Sequence, residues 1–419
     1  MAKRPINCLQ ALYDARLVTP AVEVPCLEDE PFFPSYTVYA DSVVNDFADD
    51  RSQDDGGLPS GFGIAQQESL AQLKAAGECL EVICSLYYRP GEKSQIDHPS
   101  TEGKINTQRF HDALCEALPA FHWNGLDFYD EVEQWPVYNA RTHETSTCPA
   151  QLISLSAEYA SEPQLFAERT SAGLAAGSIG TQGALAGALL EQIERDSIAA
   201  VFSDPQRLKP FRQMPNAVVE LKECIEKKGL DLLVFDITSD LAVPVVMCLA
   251  LDDTGRGPFL SAGAAAAFSF DTAVEKAILE SVQSRSVLRN FAEQILSSGI
   301  TDRQSISCGL DRIAYWWDAA RRIELDEYLG RANNVLTDGT QIVSVPSCAA
   351  LLNILAGKNL DVWVADLTLP SVRQAGFEVV RAVVPGLHRL HQCERNREFY
   401  SKHYGQFEYD DALPPHPLA

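Results

Sequence analysis

The chain has 419 residues, 46% of them hydrophobic, and a formal net charge of −24. This hydrophobic share is enough for a packed core and excludes a wholly disordered chain. The length allows two or three domains, or one large α/β domain. The acidic balance argues against nucleic acid as a partner, because phosphate binding needs a basic surface and the sequence shows no basic stripe. A site that gathers divalent cations is compatible with such a charge.

The eleven cysteines are scattered from Cys8 to Cys393 without a C-x-x-C pair. This pattern indicates reduced thiols in a cytoplasm, and neither a disulfide framework nor a zinc site. No apolar stretch follows the first seven residues, so we expect no signal peptide. The longest apolar run, Leu241–Leu251, is too short to span a bilayer. We therefore expect a soluble, cytoplasmic protein with no membrane partner.

In chain order, the first long element is an acidic helix over about residues 68–88. A Gly/Ala-rich stretch at Ser171–Ser178 predicts a turn that leads into a second acidic helix. Two β-branched runs, Leu232–Ile237 and Ala242–Leu251, are separated by polar residues and predict a hairpin. Pro244 suggests that one of these two strands lies at the edge of its sheet.

The last part of the chain continues the alternation of helices and strands. A turn at Gly255–Gly257 precedes a third acidic helix, which starts near Thr272. A further helix is predicted near Ile313–Leu329, and strands are predicted at Asp361–Leu367 and Phe377–Val384. These elements together predict an α/β (α+β) fold.

The three acidic helices place glutamates on faces that would normally bury hydrocarbon. Residues three apart lie on one face of a helix. A carboxylate on a packing face must be paired or bound to a cation, because an isolated buried charge is very costly. Three such faces suggest one shared, metal-filled site, with structural ion pairs as the alternative. The glutamates concerned are Glu78, Glu81, Glu191, Glu194 and Glu280.

Other patterns in the sequence do not indicate a site. Glu220, Glu223 and Glu226 have the same spacing but lie opposite an apolar stripe, which is typical of a solvated face. The chain has no G-x-x-x-x-G-K-[ST], no G-x-S-x-G and no H-E-x-x-H motif. His388 and His391 have no third ligand close in sequence, so we interpret them as surface or packing histidines rather than metal ligands.

Several segments resemble the motifs of the YcaO superfamily, in the order that the family has them. They run from about residue 40 to the C-terminus, and they are Ser60–Gly63, Gly77–Glu81, Gly173–Ser178 with Glu191–Asp196, Ala277–Arg285 and Val383–Leu387. The resemblance implies a YcaO-like fold, with acidic helices packed on β-sheets around an ATP site. It also implies a lead-in segment over residues 1–39, a YcaO domain over 40–405 and a C-terminal tail over 406–419.

The resemblance implies ATP and Mg²⁺ as cofactors, because hard carboxylate oxygens suit magnesium and divalent cations offset their repulsion with a triphosphate. The implied Mg²⁺ ligands are Glu78, Glu81, Glu191 and Glu194. The residues implied to contact phosphate, order the site or bind nucleotide are Arg195, Gln283, Arg285, Glu280 and Ser178. The sequence departs from many relatives at Phe62, where they carry a basic residue, and at Ser178, where asparagine is usual.

YcaO enzymes use ATP to phosphorylate a peptide amide oxygen, which then departs as phosphate. In the azoline-forming branch, a Cys, Ser or Thr side chain first attacks the preceding carbonyl, and elimination leaves a thiazoline or oxazoline. The proline-rich end Pro414–Pro417 resembles the tail of this branch, where it approaches the active site. The resemblance therefore implies Pro415 and Pro417 as catalytic residues, together with Arg195, Gln283 and Arg285. A frayed end is the alternative. In either case we expect deletion of the tail to perturb stability little.

The implied substrate is a ribosomally made precursor peptide of the kind that yields thiazole/oxazole-modified microcins and other bacteriocins. The implied partners are a separate leader-binding subunit of the ubiquitin-activating-like type and a flavin-dependent dehydrogenase. Two alternatives stay open. One is a thioamide- or amidine-forming enzyme with a TfuA-type partner. The other is a non-catalytic assembly subunit, which the loss of a basic residue at Phe62 suggests.

Overall fold

A computed structural model gives the architecture of the chain. It describes residues 5–41, 58–90, 133–156, 171–297, 299–333, 336–338, 344–397, 403–404, 410 and 412–418. The helices are α1 (Pro5–Asp14), α2 (Glu68–Tyr87), α3 (Ala150–Ile153), α4 (Gly183–Ser203), α5 (Asn216–Glu226), α6 (Phe270–Asn290), α7 (Ala292–Leu296), α8 (Gly309–Trp317), α9 (Arg322–Gly330), α10 (Cys348–Gly357) and α11 (Pro370–Gln374). Short 3-10 helices span Pro205–Arg207, Arg303–Ser305, Ala319–Arg321 and Glu394–Asn396.

The strands of the described residues form three sheets. They are β1 (Val22–Glu23), β2 (Ser35–Tyr39), β3 (Ser60–Ile64), β4 (Gln134–Asn139), β5 (Thr145–Pro149), β6 (Leu174–Ser178), β7 (Lys209–Gln213), β8 (Asp231–Asp236), β9 (Val245–Leu251), β10 (Leu260–Ala266), β11 (Thr337–Asp338), β12 (Trp363–Asp366) and β13 (Phe377–Val383). Their order is β1-β2-β3, β5-β4-β12-β13-β6 and β10-β9-β8-β7-β11. Helices packed on mainly antiparallel sheets agree with the predicted α/β (α+β) class.

Packing divides the chain into two units. Unit 1 consists of Met1–Val24, Phe33–Leu189 and Leu351–Gly386. Unit 2 consists of Pro25–Phe32, Leu190–Ala350 and Leu387–Ala419. The segments predicted from the sequence, 1–39, 40–405 and 406–419, are a different kind of division and stay a prediction. Part of the predicted tail lies outside the described residues, which include 410 and 412–418.

Unit 1 contains two antiparallel sheets. Trp135 of β4 and Trp363 of β12 are fully buried and anchor the five-stranded sheet. Strand β3 pairs with β2 and packs against α2, the first acidic helix. This helix ends at Tyr87, close to the predicted boundary, although Leu70 of its predicted apolar stripe is largely exposed. The face it buries consists instead of small residues and branched aliphatics such as Ala75 and Ile83.

Unit 2 is built on the sheet β10-β9-β8-β7-β11, in which only the pairing of β11 with β7 is parallel among the described strands. Strands β8 and β9 pair antiparallel, which confirms the predicted hairpin. The prediction that Pro244 marks an edge strand is wrong, because both strands lie inside the sheet. Pro244 precedes β9, so its missing N–H removes no hydrogen bond from the ladder.

Two further expectations need correction. The stretch Ser171–Ser178, predicted as a turn, contains strand β6, which pairs with β13 at the edge of its sheet. The single helix predicted near Ile313–Leu329 is two helices, α8 and α9. The chain breaks at Asp318, whose side chain accepts a hydrogen bond from the Ala320 N–H and so starts a new turn. Among the described residues, no helix combines the length and the apolarity needed to cross a membrane.

Candidate functional site

The glutamates of unit 1 bind the backbone of neighbouring strands. Glu78 and Glu81 lie one turn apart on α2. The Phe62 N–H of β3 donates to Glu78 Oε2 at 2.9 Å, and the Ala176 N–H of β6 donates to Glu81 Oε1 at 2.8 Å. Both carboxylates are therefore oriented by fixed backbone donors, and charge-assisted hydrogen bonds of this kind are among the stronger ones in proteins.

The link between Phe62 and Glu78 requires a glycine beside it. A Cβ added to Gly61 would lie 2.3 Å from the Ala75 carbonyl oxygen and 2.4 Å from the Cys79 nitrogen. Real Cβ atoms do not approach backbone atoms so closely. The glycine allows β3 to lie directly on α2, which brings the strand N–H within reach of the glutamate.

Unit 2 repeats this arrangement with different residues. The Ala264 N–H of β10 donates to Glu280 Oε2 at 3.2 Å, across the same separation of 16 residues that joins Phe62 to Glu78. A Cβ on Gly263 would lie 2.4 Å from the Ala277 carbonyl oxygen. The sequence shows no fixed-period repeat, but the recurring acidic helices use one packing geometry.

The second glutamate of the motif also has a counterpart in unit 2. The Ala266 N–H donates to Glu194 Oε2 at 3.0 Å, just as the Ala176 N–H donates to Glu81. Strand β10 thus binds two glutamates from alternate residues, one from α6 and one from α4. Because alternate residues of a strand direct their N–H groups to the same side, one strand can orient two carboxylates from two helices.

Four charged side chains of unit 2 lie together. Arg195 lies 3.6 Å from Glu191 and 3.8 Å from Glu194. Burial raises the pKa of Glu194 to about 8; Arg195 opposes this rise, whereas Glu280 and Glu191 add to it. Three carboxyl groups therefore lie beside one guanidinium, and the repulsion from Glu280 and Glu191 adds to the rise in the pKa of Glu194.

This donor set fits magnesium. Mg²⁺ prefers carboxylate and water oxygens and commonly takes one or two carboxylates from the protein. Glu191, Glu194 and Glu280 offer such oxygens in unit 2, and Glu78 and Glu81 offer them in unit 1. Glu78 is exposed, Glu194 is buried, and the other three are half-buried. A cation beside Glu194 would favour its ionised form and so lower the pKa that burial raises.

The remaining predicted residues differ in their surroundings. Gln283 is half-buried on α6, one turn after Glu280. Ser178 ends β6, and its carbonyl oxygen accepts hydrogen bonds from the N–H and the hydroxyl of Thr181 at 3.2 and 2.7 Å. Arg285 is buried, with its guanidinium 3.1 Å from Glu30 and 2.9 Å from Asp252. These two ion pairs favour an ordering role for Arg285 over direct phosphate contact.

Glu30 is a residue that sequence reasoning missed. It is almost fully buried, and it pairs with both Arg285 and Arg289. Arg289 also lies 3.0 Å from Asp29. These ion pairs fix segment Pro25–Phe32 against α6, the helix that carries Glu280. No sequence signal could have found this partner, because Glu30 and Arg285 are 255 residues apart.

A second missed group surrounds Asp196, the residue after Arg195. Asp196 Oδ1 accepts a hydrogen bond from the His388 N–H at 2.7 Å. Its Oδ2 lies 2.8 Å from His403 Nε2, and His403 Nδ1 lies 2.5 Å from Asp240 Oδ1. Burial lowers the pKa of His403, but the two carboxylates more than offset this and raise it above 6.5. Asp196 therefore anchors the C-terminal region to α4.

The described part of the C-terminal tail is not frayed over residues 413–418. Residues 413–418 are buried, including Leu413, Leu418 and His416. The expectation that deleting the tail perturbs stability little is therefore wrong, because the deletion would expose packed side chains. Pro415 and Pro417 are buried with their neighbours, and their assignment to the catalytic set stays a prediction.

His391, Glu394 and His416 each place one potential ligand atom within 4.8 Å of the others. Arg312 contacts Glu394 Oε1, and Arg397 lies 3.3 Å from Glu394 Oε2. Two guanidinium groups beside one carboxylate already give a positive balance, which opposes a metal cation. His391 and His388 are buried, so the prediction of packing histidines is correct and that of surface histidines is wrong.

Comparison with known proteins gives one family. A family model described as YcaO cyclodehydratase, ATP- and Mg²⁺-binding, matches residues 61–388. No curated protein sequence matches the chain. The family description confirms ATP and Mg²⁺ as the expected cofactors at the level of the family.

Solved structures with related folds include three complexes. A heterocyclase in complex with substrate and cofactor is 18% identical (TM-score 0.65), with 93% of this chain and 54% of that chain covered. YcaO from Methanopyrus kandleri bound with AMPPCP and Mg²⁺ is also 18% identical (TM-score 0.63), with 92% of this chain and 91% of that chain covered. A chain of the E. coli microcin synthetase McbBCD complex with pro-MccB17 bound is 19% identical (TM-score 0.64), with 95% of this chain and 96% of that chain covered.

At these identities the likeness shows the fold alone, and the chain spans about half the length of the heterocyclase. The family model, by contrast, covers most of the chain, in the region that carries the acidic helices. The fold and the ordered motifs agree with this match. The chain belongs to the YcaO family.

Proposed function

We propose that the chain is an ATP- and Mg²⁺-dependent cyclodehydratase that forms thiazoline or oxazoline rings in a ribosomally made precursor peptide. The observation that carries the proposal is the cluster of three carboxyl groups around Arg195, in which burial and the neighbouring glutamates raise the pKa of Glu194 to about 8. A site of this charge binds divalent cations, and a triphosphate approaches carboxylates only with such cations between them. Membership of the family supports the same reading.

Under this proposal, Glu78, Glu81, Glu191 and Glu194 hold Mg²⁺, and Glu280 is a further ligand or orienting group. Mg²⁺, when bound, would neutralise negative charge on the phosphates. The protein supplies orientation, since the strand N–H groups of Ala176 and Ala266 hold Glu81 and Glu194 in place. Pre-positioned ligands of this kind need little reorganisation during phosphoryl transfer. The single shared site predicted from the sequence stays a prediction.

Arg195 is proposed to balance the carboxylates and to contact phosphate, which its half-buried position beside Glu191 and Glu194 supports. Gln283 is proposed as a neutral contact to the nucleotide on α6. Arg285 orders the site through Glu30 and Asp252 rather than through phosphate. Ser178 is proposed to contact nucleotide from the edge strand β6.

The reaction needs an amide oxygen to leave a carbon, which it does poorly as hydroxide. A Cys, Ser or Thr side chain adds to the preceding carbonyl, and the resulting oxygen receives a phosphoryl group. ATP, when bound, supplies that group. The side-chain addition has already closed the ring, and loss of phosphate and of the amide proton then forms its C=N bond. The enzyme's contribution is positioning and charge neutralisation.

The test uses mass spectrometry of a leader-bearing precursor peptide that contains Cys, Ser and Thr, incubated with the chain, a leader-binding subunit of the ubiquitin-activating-like type, ATP and Mg²⁺. Azoline formation predicts the loss of one water for each modified residue. Replacement of oxygen by sulfur would instead support a thioamide-forming enzyme. Failure to turn over ATP under the same conditions would support a non-catalytic assembly subunit and contradict the proposal.

A further inference from the structure

The C-terminal tail presents its backbone as a row of hydrogen-bond acceptors. Pro414, Pro415 and Pro417 have no N–H group, so residues 414–418 offer five carbonyl oxygens but few donors. Such a segment cannot join a β-sheet as an ordinary strand. It must find side-chain donors when it is buried, because unpaired buried carbonyls cost free energy. The tail is buried over 413–418.

Two arginines hold the start of the tail. The Leu413 carbonyl oxygen accepts hydrogen bonds from Arg303 Nη1 at 2.7 Å and from Arg397 Nη1 at 2.9 Å. Arg397 is buried, and burial lowers its pKa to about 10. It therefore stays protonated at neutral pH and remains a charged donor. Hydrogen bonds from charged donors are stronger than neutral ones.

Two more donors hold the next part of the tail. The Pro415 carbonyl oxygen accepts a hydrogen bond from Trp316 Nε1 at 3.2 Å. The His416 carbonyl oxygen lies 3.3 Å from Arg312 Nη1. The His416 ring in turn donates from Nε2 to the His391 carbonyl oxygen at 2.8 Å. Three successive points of the tail are thus held by side chains that only donate.

The donors are themselves fixed by buried contacts. Glu394 pairs with both Arg312 and Arg397. Burial raises the pKa of Glu394, but the hydrogen bond from His391 and the two guanidinium groups outweigh this and lower it to about 2. A permanent carboxylate therefore holds both arginines in place, so the donors are pre-organised for the tail.

The same donors reach the helix of the candidate site. Arg397 Nη2 donates to the Phe202 carbonyl oxygen at the end of α4, at 3.1 Å. The Phe202 ring stacks on Tyr328 and meets the His416 ring edge-on. Phe202 lies eight residues after Glu194 on α4, about 12 Å along the axis at the usual helical rise. The tail is therefore packed onto the C-terminal end of the helix that carries Glu191 and Glu194.

We propose that Arg303, Arg312, Trp316 and Arg397 form a binding site, the tail seat, that recognises a proline-rich segment through its carbonyl groups. We further propose that its occupant is the chain's own C-terminus, held as a non-covalent ligand. This inference does not depend on the proposed function, because it concerns binding and has a binding readout.

The experiment starts from the folded full chain. A protease site inserted between Tyr404 and Asp410 allows the tail to be cut after folding. The cut fragment should stay with the protein during gel filtration. A fluorescein-labelled synthetic peptide of residues 410–419 should replace the fragment, and its fluorescence anisotropy should rise on binding. Arg303→Gln and Trp316→Phe should each raise the peptide's Kd about tenfold or more, as expected for loss of one buried hydrogen bond. Arg303 is only half-buried, so its variant should fold.

Arg331→Gln is the matched control, because Arg331 also contacts the tail, through an exposed ion pair with Asp410 at 2.8 Å. Exposed ion pairs contribute little, so its effect should stay below about threefold. Prompt release of the cut fragment from a protein that keeps its circular dichroism, without rebinding of the peptide, would overturn the proposal. Equal Kd values for the original chain, Arg303→Gln and Trp316→Phe would overturn it as well.

Discussion

The Ala264 N–H donates to Glu280 at 3.2 Å, and the Phe62 N–H makes the same bond to Glu78 at 2.9 Å, each across 16 residues of chain. Both bonds depend on a glycine that lets a strand lie on a helix. Backbone N–H groups therefore help to position both glutamates. Backbone donors hold their positions better than flexible side chains, which suits a site that must arrange several carboxylates around cations.

The first prediction concerns the close approach of β10 to α6. Gly263→Ala should lower the free energy of unfolding by about 1–3 kcal/mol, since its Cβ would overlap the Ala277 carbonyl and force the strand away. It should also weaken ATP turnover by moving the Ala264 and Ala266 donors. Urea denaturation and an ATPase assay measure both effects.

Gly77→Ala is the control for this change. A Cβ on Gly77 meets no atom within 4 Å, and the residue lies inside α2. Alanine should stabilise the helix by about 0.5–1 kcal/mol and leave ATP turnover unchanged. Equal effects of the two alanines would mean that the close approach does not position the glutamates.

The second prediction concerns the proposed Mg²⁺ ligands. Glu81→Gln and Glu191→Gln should each abolish ATP-dependent peptide modification while the fold persists, because the amide keeps an oxygen acceptor but loses the charge. Apo stability should hold or rise, since repulsion within an acidic group is relieved. Mass spectrometry of the peptide measures activity, and thermal melts measure stability. Glu223→Gln, on an exposed face of α5, should behave like the original chain; normal turnover in both site variants would contradict the ligand assignment.

The third prediction concerns pH. Burial raises the pKa of Glu194 to about 8 from an ordinary value of 4.5. Between these values the folded state keeps a proton that the unfolded state releases, so stability without Mg²⁺ should fall as the pH rises through this window. Added Mg²⁺ should reduce the fall, because it replaces the proton.

Melting temperatures across about pH 5–9, with and without Mg²⁺, test this prediction in the original chain and in Glu194→Gln. The melting temperature of Glu194→Gln should depend less on pH over this range. His403 contributes a slope of the same sign, because its raised pKa gives stability that is lost as the pH rises above 6.5. A His403→Gln variant separates the two. An unchanged profile in Glu194→Gln would show that this carboxylate is not the source of the slope.

The fourth prediction concerns the tail. Deleting Leu413–Ala419 should lower the free energy of unfolding by about 3–6 kcal/mol, because two buried leucines each contribute about 1.5–3 kcal/mol. Urea denaturation measures the loss. Deleting Leu418 and Ala419 alone should cost about half as much. A truncated chain as stable as the original would mean that the tail does not pack as described.

The fifth prediction concerns partners. The purified chain should modify its peptide slowly, and the leader-binding subunit should accelerate modification strongly. Holding the peptide beside the phosphates turns an encounter into an intramolecular step. Rates with leader-bearing and leaderless peptides, each with and without the subunit, provide the measurement. Efficient leader-dependent modification by the chain alone would contradict the need for a separate subunit.

Local pattern in the sequence was enough to predict several features. The spacing of Glu78 with Glu81 and of Glu191 with Glu194 follows from helical periodicity, which acts over a few residues. The hairpin of β8 and β9 follows from β-branched runs close in the chain. Strand β10 was missed, because a run of alanine, serine and glycine has no strand preference of its own. The sequence feature that could have predicted β10 is Gly263, which precedes Ala264 in the same way that Gly61 precedes Phe62 in β3.

Tertiary structure alone decided which groups meet across long distances in the chain. Glu30 pairs with Arg285, and Arg312 holds His416, although 255 and 104 residues separate these pairs. A charged residue in the sequence carries no mark of its distant partner, since any opposite charge would satisfy it. Burial of the tail has the same cause: prolines at a chain end fit a frayed segment equally well until the arginines that bind their carbonyls are brought together by folding.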